Sequence, residues 1–240
     1  MKATLKYLAG IAGPSGFGSK STADQVTKDC YCPPYLTAIV TGGTSGIGAE
    51  TARVLAKRGV RVVIPARNLN RASEVKDTIL KETPEAQIII LEIDLSSLPS
   101  VSRFCSEFLS LGLPLNILVY NGTRAYAQSK LANILHAKEV ARQLKVYRKY
   151  YVLLIINQTQ FYLLQSLYFL AGKLLKSTSQ GAATTCYVAL SPKVEGLSGK
   201  YFADCNEAYC SSLAADESQA QKLWNQTHAL IHRRLHHQAL

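Results

Sequence analysis

Along the first half of the chain, short apolar runs alternate with longer stretches in which apolar residues recur at helical spacing. Ala38, Ile39 and Val40 form a run suited to a strand buried on both faces of a parallel sheet, and Ala49 to Lys57 is strongly helix-forming. Arg61 to Pro65, RVVIP, predicts a second strand closed by the proline. An amphipathic helix follows over Arg71 to Glu82, with Val75, Ile79 and Leu80 on one side. Gln87 to Ile93 predicts a third strand, Val101 to Leu111 a further helix, and Leu115 to Tyr120 a fourth strand. Strands and helices that alternate through short connections specify an α/β fold with a doubly wound parallel sheet.

Beyond the fourth strand the pattern changes. Arg124 to Leu144 reads as one long helix. Tyr150 to Ile156, YYVLLII, then offers a strand followed by a helix. The alternative is a membrane span, because Tyr150 to Gly172 carries no charge and is long enough, although six polar residues from Asn157 to Ser166 interrupt it. Thr178 to Leu190 and Ser212 to Leu235 close the chain as helices, with Gly199 to Phe202 as a last strand. Residues 1–34, rich in glycine and other small residues, are either an arm packed on the surface or a targeting segment, and residues 35–240 make a single domain.

Composition narrows the partners. A chain of 240 residues with 48% hydrophobic content can bury one sizeable core. Its net charge of +11 favours anionic partners: phosphorylated cofactors, acidic membrane surfaces or acidic proteins. Nucleic acid is not expected, since no binding motif or basic stripe interleaved with aromatics is present. The six cysteines have neither redox-pair nor zinc spacing, so reduced thiols and no metal site are expected.

The candidate chemistry starts at Leu36 to Gly48, LTAIVTGGTSGIG, where a strand enters a glycine-rich turn and a helix leaves it. Gly42, Gly46 and Gly48 stand in the order G-x-x-x-G-x-G. Such glycines permit a tight turn, close approach of backbone to a pyrophosphate, and close packing of helix on strand. The phosphates would meet the unpaired N–H groups and positive end of the helix. Arg67 lies just past the second strand, where an arginine suits the 2′-phosphate of NADP and an acid the free ribose of NAD. No acid follows before Glu74, so NADP(H) is the expected cofactor. Asp94, leaving the third strand, either accepts from an adenine amino group or caps the next helix, as Ser96 or Ser97 could also do. Tyr126 and Lys130 share one helical face at i, i+4, and a nearby ammonium lowers a phenol's pKa toward the working range of an acid catalyst.

TGGTSGIG at 41–48, Arg67, Asp94-Leu95 and YAQSK at 126–130 together resemble the short-chain dehydrogenase/reductase family. KYLAGIAGPSGFGS, ETARVLAKRGVRVVIPAR, SKLANILHAKE, QGAATTCYVAL and SGKYF are similar to its plant branch associated with the chloroplast inner-envelope translocon. The resemblance implies a Rossmann-like fold, NADP(H), and hydride transfer between the cofactor and a carbonyl or alcohol. It assigns Tyr126 as general acid/base and Lys130 to the nicotinamide ribose and the tyrosine pKa. It places Gly42, Thr44, Ser45, Gly46, Ile47 and Gly48 along the phosphates, and Arg67, Asp94, Leu95 and Asn121 elsewhere about the cofactor.

The chain departs from the family in two places. Asn121 and Tyr126 are five residues apart, whereas the family inserts a crossover helix and a fifth strand bearing the catalytic serine. A parallel crossover needs about a dozen residues or more, so that strand has no room. From Val146 to about Gln165 the expected P-G loop over the nicotinamide is also replaced. An incomplete Rossmann-like sheet with impaired hydride transfer is therefore expected, and without the family's dimer. The alternative is a non-catalytic, NADP-sensing or calmodulin-binding regulatory subunit at the stromal side of the chloroplast inner envelope. For that reading Ser212 to Leu235 supplies a basic amphipathic helix anchored by Trp224. Outside such a setting the chain would be cytoplasmic.

Overall fold

The computed structural model describes residues 7–30, 32–33, 35–119, 135, 138–140, 142–143, 176–210 and 212–236. Four strands, β1 (Thr37–Val40), β2 (Arg61–Ala66), β3 (Ile88–Glu92) and β4 (Ile117–Val119), form a parallel sheet in the order β3-β2-β1-β4. Parallel neighbours require crossovers, and α2 (Gly46–Lys57), α3 (Leu69–Glu82) and α4 (Leu98–Ser110) supply them. The incomplete Rossmann-like arrangement expected from the sequence is the one present. Among the described residues β4 pairs only with β1.

Alternation along the strands explains the two layers. Ala38, Val40, Val62, Ile64 and Ala66 point to one face, where Ala52, Leu55 and Ala56 of α2 and Ala72 and Ile79 of α3 cover them. Ile39, Val63 and Ile93 point to the other, under Phe104 and Phe108 of α4. Residues such as Leu55 and Ile79, almost wholly buried, each contribute roughly 1.5–3 kcal/mol of transfer free energy.

The second strand does not stop at Pro65, as its sequence suggested, but runs on to Ala66. Arg61 N–H donates to Leu36 and Val62 N–H to Gln87, so odd positions of β2 face β1 and even positions face β3. Register between β1 and β2 ends at Ile39 opposite Val63. Pro65 therefore falls on the β1 side just past that pairing, where its missing N–H costs no ladder bond.

Two further elements lock onto α2. The short α1 (Ala23–Val26) is capped by Thr22 and Gln25 in reciprocal bonds and buries Ala23 and Val26. The second is α5 (Thr178–Leu190), capped likewise by Ser177 and Gln180 and buried along most of its length. These elements join Val54 of α2 in one cluster, α1 through Ala23 and Val26 and α5 through Ala182, Ala183 and Cys186. A side chain at Gly181 would bring its Cβ within 2.7 Å of Ile47 Cδ1, so α5 sits directly over the start of α2 because position 181 is glycine.

The end of the chain departs from expectation twice. The strand expected over Gly199 to Phe202 is β5 (Tyr201–Ala203), and it does not extend the parallel sheet. Asp204 and Cys205, at φ +50° and +64°, turn the chain straight back, and β6 (Asn206–Ala208) pairs antiparallel with β5. Asn206 then fastens the N-terminal arm to this hairpin, accepting from Ser15 N–H at 3.0 Å and donating to the Phe17 carbonyl at 3.0 Å. The helix expected over Ser212 to Leu235 is two helices, α6 (Ser212–Ala215) and α7 (Glu217–His236). Asp216 separates them, its Oδ1 accepting from Ser218 N–H at 2.9 Å and Gln219 N–H at 3.2 Å, which starts a new helix. Among the described residues no helix is long and apolar enough to cross a membrane, and the strand or span read over 150–172 lies outside them.

Charge also ties the arm to α2. Arg53 of α2 bonds Glu50, Glu82 and Asp24 at once, and Lys57 Nζ lies 2.9 Å from Glu82 and 3.2 Å from Asp24. Arg58 adds bonds to the Thr27 hydroxyl at 3.0 Å and the Asp24 carbonyl at 2.9 Å. Arg53 holds Glu50 below the usual carboxylate range, and Lys57 with Arg53 does the same for Glu82. For Asp24, burial pushes upward, but bonds from Arg53 and Lys57 outweigh it and the net direction is down. Carboxylates depressed on folding add stability above their unfolded pKa, and that stability is lost as pH falls through the folded values. Arg53→Leu is therefore expected to lower the urea midpoint at pH 7, with the gap to the parent narrowing below about pH 4. A gap independent of pH would assign Arg53 a packing role instead.

Candidate functional site at the carboxyl edge of the sheet

The site begins where β1 ends. Thr41 stitches that end to β4, its N–H and hydroxyl both donating to the Val119 carbonyl at 2.9 and 3.1 Å. The strand order reverses between β1 and β4, and the crevice beyond the carboxyl ends at such a point is the place where open α/β sheets bind ligands.

The chain then turns through Gly42 at φ +67° and Gly46 at φ +53°, a backbone that side-chain-bearing residues rarely adopt. Gly48 has a different reason: a Cβ there would lie 2.1 Å from the Gly42 carbonyl oxygen. Helix α2 begins at Gly46, three residues before the helix-forming run at Ala49, so the glycines form its first turn. Ser45 is the N-cap in extended conformation, and its side chain makes no capping bond. No acid stands in the first turn. The first-turn N–H groups and the positive end of the helix dipole therefore face the crevice without an internal anion. Gly42, Ser45 and Gly46 are exposed, Thr44 and Ile47 half-buried. This is a cradle for a phosphate-bearing ligand, and a methyl group at position 48 would collide with the backbone of Gly42 and Gly43 that shapes it.

The neighbouring strand ends supply the rest of the edge. Arg67, exposed, follows directly on β2. Asp94 lies just past β3, with Leu95 beside it 53% exposed. Two readings of Asp94 were open, and the geometry excludes capping. Ser97 is the N-cap of α4, while Asp94 Oδ1 accepts from Ser96 N–H at 3.0 Å and Ser96 hydroxyl at 2.7 Å. The backbone N–H of Ser96, then its hydroxyl, and finally the charge of Arg67 hold the carboxyl below its ordinary value. Arg67 and Asp94 thus feel each other across the ends of β2 and β3. Asn121, Tyr126 and Lys130 lie outside the described residues.

Three features of this edge escaped the sequence reading. Gly43 is one: its Cβ would stand 3.0 Å from the Val40 carbonyl and 3.1 Å from Ile64, so the glycine doublet was the signal. Thr41 and Gly181 are the others, and their partners lie far along the chain. Among the described residues no group of three potential metal ligands stands together.

The chain matches the short chain dehydrogenase family over residues 36–155. It is 35% identical to short-chain dehydrogenase TIC 32 B, chloroplastic, of Brassica napus, covering 91% of this chain and 95% of that one. Retinol dehydrogenase 12 of Mus musculus is 28% identical, over 80% and 85% of the two chains. The Brassica alignment runs over 308 residues, more than this 240-residue chain can fill, so the relative carries internal sequence with no counterpart here. Among solved structures, an uncharacterised protein from Mycobacterium paratuberculosis superposes with a TM-score of 0.64 at 22% identity, covering 88% and 97%. YwfH, an NADPH dependent reductase involved in bacilysin biosynthesis, does so with a TM-score of 0.53 at 20% identity, covering 68% and 95%.

The cradle's two kinds of glycine separate by mutation. At Gly46 an added Cβ meets nothing within 4 Å, so Gly46→Ala is expected to cost only the left-handed backbone, about 1–2 kcal/mol. Gly48→Ala must move the Gly42 carbonyl and is expected to cost more. Urea unfolding of the two variants side by side checks the order.

Proposed function

The chain belongs to the short-chain dehydrogenase family, on the branch of the chloroplast TIC 32 proteins, and from that premise we propose that it binds NADP(H) at the β1–α2 turn but exchanges hydride with a carbonyl or alcohol poorly. The observation that carries the cofactor half is the open cradle at Gly42–Gly48 with Arg67 at the end of the adjacent strand. When bound, the cofactor supplies the hydride chemistry. The chain's own residues do the rest: Ser45 and the first-turn N–H groups hold the pyrophosphate, with Thr44, Gly46 and Ile47 lining it. Arg67 pairs with the 2′-phosphate, and Asp94, Leu95 and Asn121 bound the adenine and ribose. Tyr126 gives a proton to, or takes one from, the substrate oxygen, and Lys130 lowers its pKa.

The catalytic half of the reading rests on what joins Asn121 to Tyr126. Five residues cannot hold a crossover and strand, and the longer Brassica alignment supports a loss of internal sequence. With the serine strand and P-G loop gone, the serine donor that would polarise the carbonyl beside Tyr126 is missing from the sequence. Loss of one such donor costs about 10²–10³ in rate, and misplacement by about 1 Å costs about 10² more. The chloroplastic relatives support a plastid location. The domain layout we propose is an arm over 1–34 on a single domain over 35–240.

A second reading has its own observation. Helix α7 exposes Leu230 and Ile231, at 58% and 38%, beside the exposed Arg233 and Arg234. An amphipathic basic surface of this kind suits calmodulin, and a regulatory NADP-sensing subunit at the envelope would use it.

Three outcomes are expected. Fluorescence titration should show NADPH binding more tightly than NADH, with the order reversed in Arg67→Asp; equal affinities in the parent would refute the 2′-phosphate contact. NADPH oxidation with a panel of aldehydes and ketones should be far slower than in a version with the internal segments restored. Comparable turnover abolished by Tyr126→Phe would show that the site assembles without them. Under the second reading, Leu230→Asp with Ile231→Asp should abolish calcium-dependent capture by calmodulin while leaving NADPH affinity unchanged. Undiminished capture would remove α7 from that role.

A further inference from the structure

Away from the sheet edge, an amine and a thiol from distant parts of the chain are in contact. Lys138 Nζ donates to Cys210 Sγ at 3.4 Å, across 72 residues of sequence. Both residues are half-buried, with Lys138 in helical conformation and Cys210 just past β6. Glu139, the acid next to Lys138, is committed elsewhere: it accepts from Arg142 at 2.9 and 2.6 Å and from Gln143 at 2.7 Å. The other cysteines are placed differently. Burial pushes the thiols of Cys32 and Cys205 up to about 11, and it raises those of Cys30 and Cys186 as well. A thiol held protonated reacts poorly with peroxides, since the thiolate is the nucleophile. Cys105 is exposed on α4. Among the described residues, Cys210 is the cysteine with a lysine ammonium against its sulfur.

We propose that Lys138 and Cys210 are a peroxide-responsive pair that closes into a covalent sulfur–nitrogen link, a sulfenamide. Hydrogen peroxide is the oxidant. In its thiolate form Cys210 Sγ attacks one peroxide oxygen, and the O–O bond breaks. The departing hydroxide takes a proton from the Lys138 ammonium and leaves as water. Sulfur has lost two electrons and is now a sulfenic acid, and the lysine beside it is a neutral amine. The nitrogen lone pair then attacks sulfur and the S–O bond breaks. The hydroxyl leaves as a second water, carrying a proton from the nitrogen. Sulfenic acids condense in this way with thiols and with backbone nitrogen. Here the flexible four-carbon stem of lysine closes the remaining gap. The link ties the helical residues around Lys138 to the segment that follows β6. No residue of the sheet edge takes part, so the proposal does not depend on cofactor binding.

For the test, the full chain is treated with hydrogen peroxide, its free thiols are blocked, and a tryptic digest made without reductant is read by mass spectrometry. A cross-linked pair of peptides joined at Lys138 and Cys210 is expected, lighter by two hydrogen atoms than its parts. Cleavage after Lys138 should be blocked, and dithiothreitol should restore both. Lys138→Arg keeps the charge but not the primary amine; it should abolish the link and let Cys210 pass on to sulfinic acid. Cys105→Ser should leave the link in place, and a circular dichroism spectrum of each variant confirms the fold. Recovery of Cys210 from the treated parent unmodified, as sulfinic acid or in a disulfide would overturn the assignment. So would a link that persists in Lys138→Arg or that retains the peroxide oxygen.

Discussion

The fold's working edge depends on one contact between backbones. Position 48 has no room for a side chain because the Gly42 carbonyl occupies it. That contact lets α2 start at Gly46, inside the turn, and brings the first helical N–H groups to the end of β1. A helix beginning a turn later would leave its positive end away from the crevice. Thr41 fixes the turn's other end to β4, so the cradle is clamped between the two strands where the sheet order reverses.

Around that contact the molecule places small residues where elements must approach and paired charges where they must be held. Gly181 admits Ile47, which seats α5 on the first turn of α2. Arg53 draws together carboxylates from α1, α2 and α3, and so ties the arm to the helix whose first turn forms the cradle. These bonds are partly exposed, and individually such pairs are worth little. Their value lies in sharing one guanidinium among three elements, because displacing any one of them breaks a bond of the same side chain. The site is therefore braced from behind by segments far apart in the chain, while among the described residues its open side is formed by strand ends and the glycine turn.

The catalytic question is one of reach. The glycine turn, Arg67 and Asp94 all follow the ends of strands that are described. A tyrosine and lysine on a helical face are enough for acid chemistry only when a sheet positions them opposite that edge. Here the connection that would carry the next strand has been reduced to a few residues.

The sequence by itself determined the four parallel strands, their crossovers and the glycine cradle. Each of these rests on requirements read within a short window: apolar runs, helical period, and glycines at forced backbone positions. It also placed Arg67 and Asp94 at strand ends. Only the tertiary structure decided that Pro65 is tolerated inside β2, because that depends on where β1 stops. It also decided that Asp94 bonds Ser96 and leaves capping to Ser97. The chain's end was illegible for the same reason: whether β5 joins the sheet depends on a turn at Asp204–Cys205, where a cysteine takes a positive φ that it rarely adopts. The pairing of Gly181 with Ile47, and of Asp24 with Arg53, joins residues whose types alone announce nothing. Local backbone constraints leave a mark in sequence, whereas partnerships between distant small or charged residues exist only once the chain has folded.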